Sequence, residues 1–175
     1  MDGTGMTIRI AGAEAIDALE PLWLSLHEHH RQVAPDLVMY GDERSWPLRR
    51  ELYRRWITEP GSFILLAEDG PELVGYAFTH VFDGPDDTWV SGDRIAELET
   101  LSVAASHRGR GLGTRLLDAV DARLSELGVM DLYISTLADN HAAARVYERR
   151  GLRPLMVKYA RLAASPRFTS GHDRD

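Results

Sequence analysis

The stretch Val103-Ala104-Ala105-Ser106-His107-Arg108-Gly109-Arg110-Gly111-Leu112-Gly113-Thr114 hands a strand-like segment over to a helix through three alternating glycines. Glycine is needed where the backbone turns sharply or where a ligand must come close. Downstream, Leu112, Leu116, Leu117, Val120, Leu124 and Leu127 recur as one helical stripe, and Gly128 ends it. The first amides of such a helix have no intrahelical partners, and its dipole adds partial positive charge. The bend is therefore an anion site suited to a pyrophosphate, with Arg108 and Arg110 adding charge. A P-loop would require Gly-Lys-Ser/Thr at its end, and no lysine precedes Thr114. A Rossmann fingerprint would place its third glycine at Thr114 in an opening strand–turn–helix unit, whereas this loop lies late in the chain.

Outward from the loop, the pattern alternates between strands and helices. Upstream, Met6–Ala11 alternates as a short strand, and Glu14 to about Val33 carries Ile16, Leu19, Leu22, Trp23 and Leu26 at helical spacing. A second helix is expected from Glu43 or Trp46 to Ile57, stopped by Glu59-Pro60-Gly61. Phe63–Glu68 and Leu73–Phe82 read as a hairpin around Asp69-Gly70-Pro71, and Trp89–Val103 contains a further strand. Downstream, Met130–Thr136 reads as a strand, Asn140–Arg150 as a short helix, and Leu155–Leu162 as a last strand. This order predicts an α/β fold on a mixed sheet, in one domain over residues 6–163 with flexible termini at 1–5 and 164–175.

A second informative segment is Leu137-Ala138-Asp139-Asn140-His141-Ala142-Ala143-Ala144-Arg145-Val146-Tyr147, followed closely by Gly151-Leu152. On a helix, Asn140 and Tyr147 share a face, with Ala143 and Ala144 between them. Small residues let a ligand lie against that face, while the polar groups at its ends reach it. A plain N-cap for Asn140 and a buried aromatic for Tyr147 are the alternative readings.

Together the two segments resemble the signatures of the GNAT acetyltransferase superfamily. Arg108-Gly109-Arg110-Gly111-Leu112-Gly113 follows its acyl-CoA pattern Gln/Arg-x-x-Gly-x-Gly/Ala. Asn140, Ala143/Ala144 and Tyr147 follow its Asn-x-x-Ala-x-x-x-Tyr pattern. The resemblance covers roughly Ile8–Leu162, most strongly Glu97–Leu152. It implies a six- to seven-stranded mixed sheet flanked by about four helices, and an enzyme moving an acetyl group from acetyl-CoA to a primary amine. Backbone groups of Leu101, Ser102 and Val103 would then take the pantetheine arm. The amides of Arg108, Gly109, Arg110, Gly111, Leu112, Gly113 and Thr114 would hold the pyrophosphate, with Asn140, Ala143 and Tyr147 also at the cofactor. A non-catalytic acyl-CoA-binding or sensing domain is the alternative from another class.

Acyl transfer to an amine requires a neutral amine, a stabilised oxyanion and a proton for the departing thiolate. The resemblance points to Glu97 as the general base, eleven residues before Arg108, and a strand bulge would bring Glu99 into play. Tyr147 is the expected acid, because a phenol near pKa ~10 can protonate a thiolate whose thiol has pKa ~8.5. An N–H near Leu101–Val103 would stabilise the oxyanion.

Composition excludes other routes. The chain of 175 residues has no cysteine and Lys158 as its only lysine, which leaves direct transfer in a ternary complex as the expectation. Its net charge of −7 speaks against nucleic acid or an anionic membrane as partner and suits a cationic amine. A leaderless N-terminus and the lack of a long apolar run lead to a cytoplasmic expectation. The acceptor is left as a small-molecule or peptide amine, and a homodimer is left open. No metal is expected, since His27-Glu28-His29-His30 lacks a His-Glu-x-x-His spacing; these histidines are read as exposed or capping, with acceptor-pocket residues as the alternative. The aspartates Asp83, Asp86 and Asp87 beside Trp89 read as a solvated acidic turn.

Overall fold

A computed structural model describes residues 5–85 and 87–165. The termini expected to be flexible lie mostly outside that range, as does Asp86 of the acidic turn. Five strands form one sheet in the order β1 (Met6–Ala11), β2 (Phe63–Asp69), β3 (Glu72–Asp83), β4 (Arg94–Val103), β5 (Asp131–Ile134). β1 to β4 run antiparallel to their neighbours, and β5 joins β4 in parallel.

Helices cover both faces, as a mixed sheet with a parallel edge requires. α1 (Glu20–Val33), entered through a 3-10 segment Ala13–Leu19, and α2 (Asp42–Trp56) lie on one face. They bury Ile16, Leu19, Leu22, Trp23, Trp46 and Tyr53 against Ile64, Leu66, Tyr76 and Phe78. α3 (Leu112–Glu126) lies on the other face. Its stripe Leu112, Leu116, Leu117, Val120 and Leu124 packs on Phe63, Leu65, Ala77, Val81, Ala96 and Leu98. α3 stops where Gly128 takes φ +68°, a conformation that glycine alone adopts without strain. α4 (His141–Arg149) is fastened to α3 by Arg150, which reaches Asp118 at 2.7 Å and Asp121 at 2.6 Å.

Two features of β4 position the site. Its register against β3 passes from Thr100 opposite Phe78 to Leu98 opposite Thr79, so Glu99 is an extra residue at a bulge. Its ladder to β5 covers only Ile95–Leu98 against Asp131–Ile134, and β4 then runs on to Val103 paired with β3 alone. The parallel edge therefore opens beyond Leu98.

The sheet has five strands, fewer than the six to seven expected, and the difference lies in Leu155–Leu162. That segment forms no strand, and Leu155, Met156, Val157 and Tyr159 are exposed. Apolar β-prone residues signal burial on a pleated surface, but a strand exists only where a ladder partner accepts it, and local sequence does not name the partner. The end of the segment is held nonetheless. Ser165, expected in a frayed terminus, is buried, and its Oγ accepts a hydrogen bond from the Val38 N–H at 2.9 Å.

Candidate active site

The loop after β4 behaves as its glycines demand. Gly109 and Gly111 take φ +73° and +79°, in the left-handed region where a Cβ is strained. Gly113 does not, and its Cβ position would meet only Val103 Cγ2, at 4.0 Å. Gly111 caps α3, and the first helical hydrogen bond runs from Arg115 N–H to the Gly111 carbonyl at 3.0 Å. The amides of Leu112, Gly113 and Thr114 precede that bond and point out of the helix end. No acidic residue stands in the first turn to compete for them. Arg108, expected to add positive charge at the bend, also braces the loop. Its Nε donates to the Val103 carbonyl at 2.9 Å and its Nη2 to Ser25 Oγ at 3.1 Å, which ties the loop to β4 and α1. Arg110 is exposed.

β4 carries both candidate carboxylates. Glu97 pairs in register with His80 and Tyr133, and one of its oxygens accepts a hydrogen bond from Ser135 Oγ at 3.0 Å. Glu99, at the bulge, is more enclosed, with 15% of its side chain exposed. Burial, and then the negative charge of Glu97, push its carboxyl above the usual range, against the opposing pull of Arg49 and His80. His80 approaches Glu99 Oε1 through Nδ1 at 3.5 Å and Glu59 Oε2 through Nε2 at 3.1 Å. The Nε2 contact is an electrostatic approach without hydrogen-bond alignment. The imidazole stacks on Trp56 at 5.3 Å and leans on Phe82 at the same centroid distance. His80 and Glu59 had no signal in the sequence, because they come from β3 and from the turn after α2, and His80 meets Glu99 only through the sheet register.

Of the loop-proximal strand residues, Ser102 turns its side chain toward α1, where Oγ donates to the Leu22 carbonyl at 2.9 Å. Leu101 and Val103 face the opposite side and pack on the α3-side core. On α4, Asn140 is the N-cap, its Oδ1 accepting from the Ala143 N–H at 3.2 Å. Tyr147 is half-buried against the α3-side core, and desolvation there raises its hydroxyl above the ordinary tyrosine value. Its oxygen makes no hydrogen bond among the described residues.

The wall formed by α1 and α2 is aromatic. Tyr53 stacks on Phe78 at 4.2 Å, lies edge-on to Trp23, Trp46 and Tyr76, and bonds through its hydroxyl to Tyr76 and Thr100. Burial drives its hydroxyl to about 12, so it stays protonated. His27 is not exposed as the sequence suggested. It is buried, stacks on Trp23 at 6.0 Å, and hydrogen-bonds the Tyr40 carbonyl at 2.9 Å. His30 is pushed down to about 4, chiefly by burial. Trp89 leaves its acidic turn to donate from Nε1 to Tyr133 Oη at 2.8 Å. Among the described residues, no group of three or more His, Cys, Asp and Glu could hold a metal ion, and no helix is long and apolar enough to cross a membrane.

Known proteins share this arrangement. The family model for the Acetyltransferase (GNAT) family matches residues 23–152. A mycothiol acetyltransferase of Geodermatophilus obscurus is 30% identical over 135 residues, which cover 75% of this chain and 40% of that protein. The chain spans less than half the length of the curated relatives it matches. Among solved structures, a GCN5-related N-acetyltransferase from Ralstonia eutropha JMP134 superposes with TM-score 0.69 at 18% identity, covering 91% of this chain and 99% of that one. Aminoglycoside N-acetyltransferase AAC(6')-Iy in complex with CoA superposes with TM-score 0.66 at 18% identity, covering 92% and 97%. With a family model spanning most of its length and a sheet, bulge and glycine loop to match, this chain belongs to the GNAT acetyltransferase family.

Proposed function

We propose that residues 6–163 act as one domain that moves an acetyl group from acetyl-CoA to a primary amine by direct transfer in a ternary complex. The observation that carries this is the opening of the β4–β5 ladder beyond Leu98, with Glu99 bulged at its apex and the α3 amides at its far end. A strand edge that loses its neighbour offers N–H and C=O groups to an amide-bearing arm, here from Leu101, Ser102 and Val103. Left-handed glycines at 109 and 111 turn the next amides, through Thr114, toward a diphosphate. The site fits coenzyme A on these grounds, and AAC(6')-Iy, which has the same fold, is itself in complex with CoA.

When bound, the thioester supplies an activated acetyl carbon. The chain supplies proton handling and orientation. Glu99, rather than Glu97, is the favoured general base: it is the more enclosed carboxylate, its pKa is raised toward the working range, and Glu97 is held by Ser135. Its carboxylate removes the ammonium proton so that the nitrogen lone pair can attack. A backbone N–H of the 101–103 edge faces the oxygen where negative charge develops. Tyr147 Oη, with no competing partner, holds the proton that the departing sulfur takes. Asn140 caps α4 and, with Ala143, keeps the helix face toward the arm narrow.

Titration calorimetry with acetyl-CoA and an assay of CoA release with a panel of amines test the proposal. Binding with amine-dependent CoA release is the expected result. Binding without acceptor-dependent turnover would convert the reading to a sensing domain, and no binding at millimolar acetyl-CoA would overturn it.

A further inference from the structure

We propose that the acceptor carries a carboxylate as well as its reacting amine, and that Arg49 grips that carboxylate. This deepens the acyltransfer reading above and rests on it.

Arg49 lies on the inner face of α2, in helical register with Trp46, Tyr53 and Trp56. Its guanidinium carbon stands 4.4 Å from the Trp23 ring centroid, 5.6 Å from Tyr53 and 5.8 Å from Trp56. Three rings from two helices therefore hold the side chain in one place. Its neighbours on the same helix are used in the ordinary way. Arg50 and Arg54 reach Asp17 and Glu51 at the surface. Arg49 is part-buried yet makes no ion pair and no hydrogen bond among the described residues. None of its nitrogens is buried without a partner, so its N–H groups remain accessible.

Glu99 belongs to the same wall, since Trp56 stacks on His80 at 5.3 Å and His80 Nδ1 stands 3.5 Å from Glu99 Oε1. Burial dominates at Glu99, Tyr53, Tyr76 and His30, and the Arg49 charge acts on all four. Glu99 feels the Arg49 charge without forming an ion pair with it, so the guanidinium keeps its N–H donors for a ligand. The rings hold the guanidinium in place without using its N–H groups, and a guanidinium takes a carboxylate through two parallel hydrogen bonds. With Glu99 receiving the ammonium end, the wall presents an anion and a cation to the two ends of an amino carboxylate.

Matched pairs test this. Glycine, β-alanine, 4-aminobutanoate and a set of L-amino acids would each be assayed beside the corresponding amide by acetyl-CoA-dependent CoA release. The expected result is a kcat/KM at least 100-fold higher for the acid than for the amide at one or more chain spacings. In Arg49→Met that ratio should collapse to within about twofold of one, and in Arg49→Lys, which keeps the charge but not the fork, it should fall about tenfold. Melting temperature and acetyl-CoA affinity verify that each variant is folded, and the lysine variant decides if the methionine variant is not. Turnover of acids and amides at equal rates, or an unchanged ratio in the lysine variant, overturns the inference and leaves the acyltransfer reading standing. Failure of every amine to release CoA overturns both.

Discussion

Replacing Gly111 by alanine and Gly113 by alanine should have opposite effects, although the two glycines are two residues apart. Gly111 has φ +79° and ψ 2°, so a Cβ there costs roughly 1–2 kcal/mol of left-handed strain. For a chain of this length each kcal/mol moves Tm by about 2–4 °C, and Gly111→Ala should therefore melt about 2–8 °C lower. Relief of the strain rotates the peptide ahead of Leu112, so acetyl-CoA should bind at least tenfold more weakly, about 1.4 kcal/mol. Gly113 sits inside the first turn of α3 with ordinary helical backbone, and a methyl there meets only Val103 Cγ2 at 4.0 Å. Gly113→Ala should gain up to about 1 kcal/mol from helix propensity and keep its acetyl-CoA affinity. Calorimetric melting and acetyl-CoA titration read both quantities on the same samples. If Gly113→Ala loses affinity as Gly111→Ala does, close approach rather than backbone conformation explains the glycines and the reasoning is wrong.

Three further predictions concern protons. Glu99→Gln should abolish the acid limb of the kcat/KM profile, leaving a rate that rises with the fraction of free amine, while Glu97→Gln leaves the limb in place; the reverse outcome returns the base to Glu97. The same substitution should change stability with pH. The folded pKa of Glu99 is raised, so its stabilising contribution is complete below the unfolded carboxylate value and is lost as pH rises through the folded one. Glutamine does not titrate, so the stability of Glu99→Gln relative to the parent should grow from pH 4 to pH 7 in calorimetric melts, and a constant difference would count against the raised pKa. Tyr147→Phe should lower kcat at least tenfold, about 1.4 kcal/mol, with acetyl-CoA binding retained, and unchanged turnover would remove Tyr147 from the acid role.

What was readable before folding is what depends on neighbours along the chain. The α3 stripe, the left-handed glycines at 109 and 111 and the N-cap at Asn140 are all set by residues within a few positions of one another. Such patterns carry their own physical cause, which is why the loop and the family could be recognised from a string of letters. The bulge belonged to the family resemblance, but which carboxylate it would enclose did not follow from the spacing of Glu97 and Glu99. That choice depended on the β3–β4 register, which displaces Glu99 by one residue and sets it against His80, and on Ser135 arriving from beyond β5 to engage Glu97. Arg49 looked like any helix arginine until α1 supplied Trp23 above it and no carboxylate paired with it among the described residues. Leu155–Leu162 had the composition of a strand, yet no strand in the sheet took it as a partner. Backbone conformation is a local property of sequence, whereas burial, charge pairing and strand pairing each need a second segment, and only the folded chain determines which segment that is.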